Sequence, residues 1–316
     1  MVISMAPLQG FTDAPFRNAF HRNIGGIDKF YTPFLRLEND GSLKSKYLKD
    51  ILPENNSGIP VIPQILINNS KDFLFFAKII ADNGYPEVNW NLGCPYPMVS
   101  KRKLGSGLIP YPEEIKQILE TVIPQTHLKI SLKIRAGYQQ ADEIFPVLEA
   151  IKTLPIHEII LHPRIARQMY KGTANHEIFI HTQQQSVFKL AYNGDITTTT
   201  NFKFLQTKLT ETNHFMIGRG LIANPFLGIE IKNGFSMPEL EKRHLFYQFH
   251  QELLLHYEKV LSGESHQLNK MLGFWEYWSL LFSNGRKLYK TLKKSHKINQ
   301  YKRLSSGFIQ NEAFIN

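Results

Sequence analysis

Cysteine occurs once in these 316 residues, at position 94. A single thiol excludes an internal disulfide and any cysteine-cluster metal site, and it fits a reducing cytoplasm. The twelve histidines are scattered, with no His-Glu-x-x-His or similar helical spacing, so no metal motif is present. No run approaches the ~20 consecutive apolar residues of a membrane span. Residues 1–7 are apolar but short and lack a basic lead, so they read as a first strand and not as a secretory leader. Acidic residues are scarce relative to basic ones: 27 Asp and Glu against 37 Lys and Arg, a net charge of +10. That excess suits a polyanionic partner, because clustered cations release counterions on meeting phosphates. It is densest near the C-terminal end, where eight basic residues and no acidic one lie between Arg286 and Arg303.

What is present is a repeating texture. Up to about residue 226, short apolar runs alternate with amphipathic segments of helix length, the pattern of βα units around a parallel sheet. Strands are expected at 3–7, 30–35, 61–67, 87–92, 128–135, 158–162, 188–193 and 215–218. Eight strands over this length favour a (β/α)8 TIM barrel over an open doubly wound sheet. The clearest helix is 71–83, with Phe73, Phe76, Ala77, Ile80 and Ala81 at core-facing spacing. Residues 164–182 read as a loop with a short helix. From Met237 the strand signal stops, and 239–260 and 266–294 read as two long amphipathic helices rich in Leu, Phe, Tyr and Trp. The expected division is a barrel domain over 1–236 and a smaller all-helical domain over 237–316. Of the aromatics Trp275, Tyr277, Trp278, Phe282 and Tyr289, most are expected in a core. Arg286, Lys287, Lys290, Lys293, Lys294 and Lys297 make the face suited to an RNA backbone.

A TIM barrel builds its active site from the C-terminal ends of its strands. Those ends carry Pro7-Leu8, Gln64, Asn91 with Cys94, Lys133 with Arg135, His162, Asn193-Gly194-Asp195 and Gly218-Arg219-Gly220. Seven of eight ends therefore bear amides, bases or a thiol. The loops after the seventh and eighth strands suit a phosphate, with glycines for close backbone approach and an arginine for charge. Lys133 has two candidate roles, a Schiff base or a cation against an electron-rich cofactor ring. Cys94 sits between the most permissive and the most restricted backbone residues, at a corner where a strand becomes a loop.

These ends carry a resemblance. Ala6-Pro7-Leu8-x-Gly-Phe-Thr-Asp-Ala-Pro-Phe-Arg17, Asn91-Leu-Gly-Cys-Pro95, Leu132-Lys-Ile-Arg-x-Gly137, His162-x-Arg-x-x-x-Gln-Met-Tyr-x-Gly172, Asn193-Gly-Asp-Ile196 and Ile217-Gly-Arg-Gly-x-x-x-Asn-Pro225 occur in this order. Together they resemble the tRNA-dihydrouridine synthase family over essentially the whole chain. The resemblance implies an FMN-bearing barrel that reduces the carbon 5–carbon 6 double bond of a uridine in the tRNA D-loop, with NADPH recharging the flavin. By position it places Pro7, Leu8 and Gln9 beside the flavin ring and Gln64 and Lys133 at its polar edge. His162, Asn193, Gly194, Asp195, Gly218 and Arg219 fall around the ribityl chain and phosphate. Asn91 and Arg135 fall to the uracil, Lys101 to tRNA phosphates, and Cys94 to the proton donor.

The chemistry is consistent with that assignment. After hydride reaches carbon 6, an acid must protonate carbon 5, and a thiol of pKa near ~8.5 is still protonated at neutral pH. A cysteine nucleophile needs the opposite, a lowered pKa. The chain departs from the family pattern at Asn89, where an aspartate is usual, and at Met98, where lysine is frequent; Pro163, Ile165 and the run after Gln64 also differ. Two other readings are carried: an FMN barrel acting on a small molecule, of the dihydroorotate dehydrogenase or ene-reductase type, and a non-catalytic RNA-binding protein. The first leaves the basic tail without purpose, the second the strand-end groups. A monomer is the expected state, and the chain is more similar to the bacterial subfamily acting on the position-16 uridine than to position-20 relatives.

Overall fold

The computed structural model describes residues 1–38, 40–56 and 58–315. These residues form nine strands: β1 (Val2–Met5), β2 (Lys29–Tyr31), β3 (Val61–Ile62), β4 (Gln64–Ile65), β5 (Glu87–Leu92), β6 (Lys129–Gly137), β7 (Glu158–Ile165), β8 (Leu190–Asn193) and β9 (His214–Ile217). All pair in parallel, in the order β3-β2-β1-β9-β8-β7-β6-β5-β4. The two ends of that order, β3 and β4, are separated in the chain by Pro63 alone. Proline has no N–H to donate to a ladder, yet its carbonyl still accepts from Asn89 N at 2.9 Å. One stave, split at Pro63, thus pairs with β2 on one side and β5 on the other and closes a TIM barrel. The eight expected strands are all present, with ends shifted by a few residues.

The barrel interior is layered. Ala6, Tyr31, Ile62, Ile160, Ala191 and Met216 form an apolar cluster. Another layer is polar: Ser4 Oγ lies 2.7 Å from His214 Nε2, and His214 Nδ1 lies 2.8 Å from Glu158 Oε1. These three buried groups link β1, β9 and β7. Side chains alternate along a strand, and β5 illustrates the result. Glu87, Asn89 and Asn91 share the inner face, while Trp90 packs edge-on to Phe73 of the helix Ser70–Asp82. That helix begins where the Asn69 side chain accepts from Asp72 N at 2.9 Å, a cap that satisfies one orphan donor. Phe73, Phe76, Ala77 and Ile80 are buried as expected, but Ala81 is exposed. The segment 164–182 holds more structure than a loop, since β7 runs to Ile165 and a ten-residue helix begins at His176.

By its contacts the chain divides into two units: Met1–Gln9, Asp28–Asp195 and Phe204–Ile217 form the first, and Gly10–Ile27, Ile196–Lys203 and Gly218–Asn316 the second. The first holds the barrel strands. In the second, Asp13 caps the helix Ala14–Asn23 and also accepts from Tyr257 Oη at 2.7 Å and Lys270 Nζ at 2.8 Å. The helix Glu239–Val260 matches its expected bounds. The single helix expected over 266–294 is instead two, Glu264–Trp278 and Gly285–Leu292, and a further helix spans Ile298–Asn311. The turn between them requires the glycine that opens the second: a Cβ on Gly285 would come within 2.3 Å of the Ser279 carbonyl oxygen. Trp275, Trp278 and Phe282 are buried and Tyr277 and Tyr289 half-buried. Arg286, Lys287, Lys290, Lys293, Lys294 and Lys297 are all exposed. No helix among the described residues is long and apolar enough to cross a membrane.

Candidate active site

The structure gathers the residues at the ends of β4 to β8 through strand register. Gln64 pairs with Asn89, Asn89 with Ser131, Asn91 with Lys133 and Arg135 with His162. Cys94 lies two residues beyond β5 and is half-buried. Its position is held from three sides. The Asn91 Oδ1 accepts the backbone N–H groups of Gly93 and Cys94 at 3.0 and 2.9 Å. Ser106 N and Oγ both donate to the Cys94 carbonyl, at 3.1 and 2.8 Å. Behind it stands Gly105, at φ 57°, where a Cβ would come within 2.8 Å of Cys94 Cβ. Ser106 and Gly105 escape the sequence reading because nothing local links them to a residue eleven or twelve positions earlier.

Burial pushes the Cys94 thiol above its ordinary range, despite a backbone hydrogen bond from Tyr96 and the cations Arg135, Lys133 and Arg36 pulling the other way. Desolvation wins, so the group is a thiol at neutral pH. The second strand end, read as bare in the sequence, supplies Arg36 to this field. Lys133 shows the converse. Its surroundings desolvate the ammonium, and Arg135 repels it, so its pKa falls to about 7. It makes no hydrogen bond or ion pair among the described residues.

Arg135 is buried, and three of its N–H donors are engaged: Nε to Gly93 O at 2.9 Å, and the two terminal nitrogens to Ile165 O at 3.0 Å and Met169 O at 2.8 Å. Its guanidinium also lies 5.5 Å from the Tyr170 ring centroid. Arg135 therefore ties the cysteine loop to the loop after β7. There, Arg164 takes His162 Nε2 at 3.1 Å, Gly172 O at 2.6 Å and Asp195 Oδ2 at 2.6 Å. Since a guanidinium only donates, His162 accepts at Nε2 and carries its proton on Nδ1. Ala174 N also donates to Asp195, at 2.8 Å. Asp195 stands at φ 46°, in the left-handed region. A Cβ on Gly194 would meet the Ala174 Cβ at 2.8 Å, so this glycine already serves close packing within the protein. Asn193 donates to Met216 O at 2.8 Å.

The remaining candidates are distributed along the chain as follows. Pro7 and Leu8 follow β1 half-buried, and Gln9 reaches Phe34 O at 3.4 Å. Lys101 is exposed, while its neighbour Lys103 is tied to Glu114 at 2.7 Å. In the second unit, Gly218 precedes the short helix Arg219–Ala223, and Arg219 is exposed.

A closed parallel barrel with polar side chains collected at its strand ends is an enzyme scaffold. A family model for dihydrouridine synthase (Dus) matches residues 4–306. The chain belongs to the dihydrouridine synthase family. The tRNA-dihydrouridine synthase B of Vibrio vulnificus is 30% identical over 242 residues, covering 75% of this chain and 74% of that protein. The tRNA-dihydrouridine(16) synthase of Neisseria meningitidis serogroup B is 28% identical over 238 residues, covering 73% and 71%. Among solved structures, a variant of NCR from Zymomonas mobilis superposes with a TM-score of 0.52 at 15% identity, covering 75% of this chain and 87% of that one. Morphinone reductase gives 0.51 at 9% identity, again over 75% and 87%. At these identities the likeness is one of fold.

Proposed function

We propose that this protein binds FMN at the C-terminal rim of its barrel and uses NADPH to reduce a uridine in the D-loop of tRNA to dihydrouridine, with Cys94 as the proton donor. The observation that carries the reading is the state of Cys94: a half-buried thiol kept protonated by desolvation and pinned by Asn91 and Ser106. A pinned, protonated acid suits protonation of a carbanion and is unsuited to nucleophilic attack.

Lys133 fits the polar edge of a flavin, because a desolvated cation with no carboxylate partner needs an electron-rich group beside it. Gln64 offers an N–H at the same rim. Pro7, Leu8 and Gln9 would flank the ring, and His162, Asn193, Gly194 and Asp195 the ribityl chain and phosphate. Bound there, the flavin supplies the hydride. Asn91 would hold the uracil with its remaining amide proton. Arg135, with three donors already committed, would act mainly by fixing the cysteine loop. Cys94 delivers its proton to carbon 5, and the thiol is restored from solvent. Gly218 and Arg219 are proposed for the cofactor on motif alone. In the second unit the exposed lysines would take tRNA phosphates, and Lys101 would do the same from the first. We further propose a monomer working in the cytoplasm, which the lone cysteine supports.

The test is direct. Protein purified with FMN should be yellow and should form dihydrouridine in unmodified tRNA with NADPH. A colourless protein that takes up no FMN would sink the reading. Yellow protein that reduces small enones but leaves tRNA unchanged would favour the small-molecule barrel instead. Mapping the product base decides between the position-16 uridine and another site. Cys94→Ala should keep flavin and tRNA binding and lose turnover by ~10²-fold or more.

A further inference from the structure

The inner face of β5 carries three polar residues, Glu87, Asn89 and Asn91, and they join a single directional chain of hydrogen bonds. Asn91 Nδ2 donates to Gln64 Oε1 at 2.7 Å. Gln64 Nε2 donates to Asn89 Oδ1 at 2.7 Å. Asn89 Nδ2 donates to Ser131 Oγ at 3.0 Å, and the Ser131 hydroxyl donates to Glu87 Oε1 at 2.6 Å. Every link lies within the barrel unit, and Gln64, Asn89 and Ser131 are wholly buried. One end is set by two backbone N–H groups, those of Gly93 and Cys94, which require the Asn91 oxygen to face them. The other end is set by a carboxylate, which accepts only.

We propose that Glu87 is a positioning residue for the reaction centre, acting through Ser131, Asn89 and Gln64 on the placement of Cys94, and that the chain admits one carboxylate only. Each amide along it is used in one orientation. Turning any of them round would set N–H against N–H or oxygen against oxygen at its next neighbour, in a buried setting where such groups find no water. Gln64 consequently keeps an N–H, and never its oxygen, for whatever lies at the rim. A carboxylate at position 89 would break the arrangement. The single Ser131 proton would then face two acceptors, and two like charges would share the site.

The proposal takes from the flavin reading only its turnover measurements; the thiol measurement stands without it. Cys94 is the sole cysteine, so its alkylation by iodoacetamide in cofactor-free protein reports the loop alone. Asn89→Asp should accelerate labelling by up to roughly tenfold and shift its pH profile, since one hydrogen bond's worth of restraint is lost. Adding Glu87→Gln to that variant should return both toward wild type. The amide introduced at position 87 can donate to Ser131, whose own proton then goes to the carboxylate introduced at position 89. In flavin-loaded protein the same pair should lower and then recover kcat, with KM for tRNA little changed. Ser131→Ala, which keeps the charges, should loosen Cys94 as well. The proposal is overturned if Asn89→Asp labels at the wild-type rate, or if Glu87→Gln gives no recovery in a folded double variant. Should Asn89→Asp fail to fold, wild-type labelling in Ser131→Ala overturns it equally. Failure of FMN to bind while the labelling pattern holds would refute the flavin reading and leave the relay standing.

Discussion

Arg164 and Asp195 form a 2.6 Å ion pair that joins the end of β7 to the end of β8, with the arginine side chain only 2% exposed. Because the same guanidinium donates to His162 Nε2, the pair also determines which imidazole nitrogen carries the proton. Removing one member of a largely buried pair strands the other and costs ~3 kcal/mol. Arg164→Met should therefore lower the melting temperature by several degrees and weaken FMN retention. Thermal unfolding and flavin fluorescence titration check the two effects. Unchanged FMN affinity would separate His162 from the phosphate end.

The ammonium of Lys133 gives a pH signature. Its folded pKa of about 7 lies below its ordinary value, so at higher pH the unfolded chain holds a proton that the folded protein lacks. This group's penalty is full below about pH 7 and is relieved as pH rises from there toward ~10.4. Cofactor-free wild type should accordingly gain more stability between about pH 7 and 9 than Lys133→Met, as read by denaturant midpoints. If a flavin edge restores the cation, FMN binding at about pH 8 should take up a proton. Calorimetry in buffers of different ionisation enthalpy should show that uptake in wild type and not in the variant.

Gly105 backs directly onto the cysteine. An alanine there must adopt φ 57° and place its methyl 2.8 Å from Cys94 Cβ, so Cys94 must move. A displacement near ~1 Å can cost ~10²-fold in rate. Gly105→Ala should keep its flavin spectrum and lose dihydrouridine formation by about that factor.

The exposed lysines of the helical region predict a salt effect. Neutralising Lys290, Lys293, Lys294 and Lys297 should weaken tRNA binding and reduce its salt slope by roughly 0.7–0.9 per lost phosphate contact. Flavin content should be unchanged. Filter binding at two or more ionic strengths measures it, and an unaltered slope would relocate the RNA surface.

Legibility followed interaction range. Strands were readable because apolar runs and turn residues are local signals, and β5 was expected at its observed bounds, 87–92. The break between Trp278 and Gly285 was hidden, since helical spacing of large side chains continues through Leu281 and Phe282. Across it Gly285 packs closely on Ser279, a contact that no periodicity reports. Within the site, Asn91, Lys133 and Cys94 stood out at strand ends. Glu87 and Ser131 did not, because they meet 44 positions apart and only through the β5–β6 register. Arg164 and its acceptor Gly172 lay inside one quoted motif, yet its other partner, Asp195, comes from the loop after β8, 31 positions on.

The Ser4–His214–Glu158 contact has a consequence for how the barrel comes apart. It stitches three staves that are not all neighbours, since β8 lies between β7 and β9. Peeling off β1 alone would leave an imidazole short of its hydroxyl, and peeling off β7 would leave it without its carboxylate, so either opening breaks a buried hydrogen bond. Partial opening at this layer is thus disfavoured from either direction. Native-state hydrogen exchange should find the amides of β1, β7 and β9 released together, in one cooperative event.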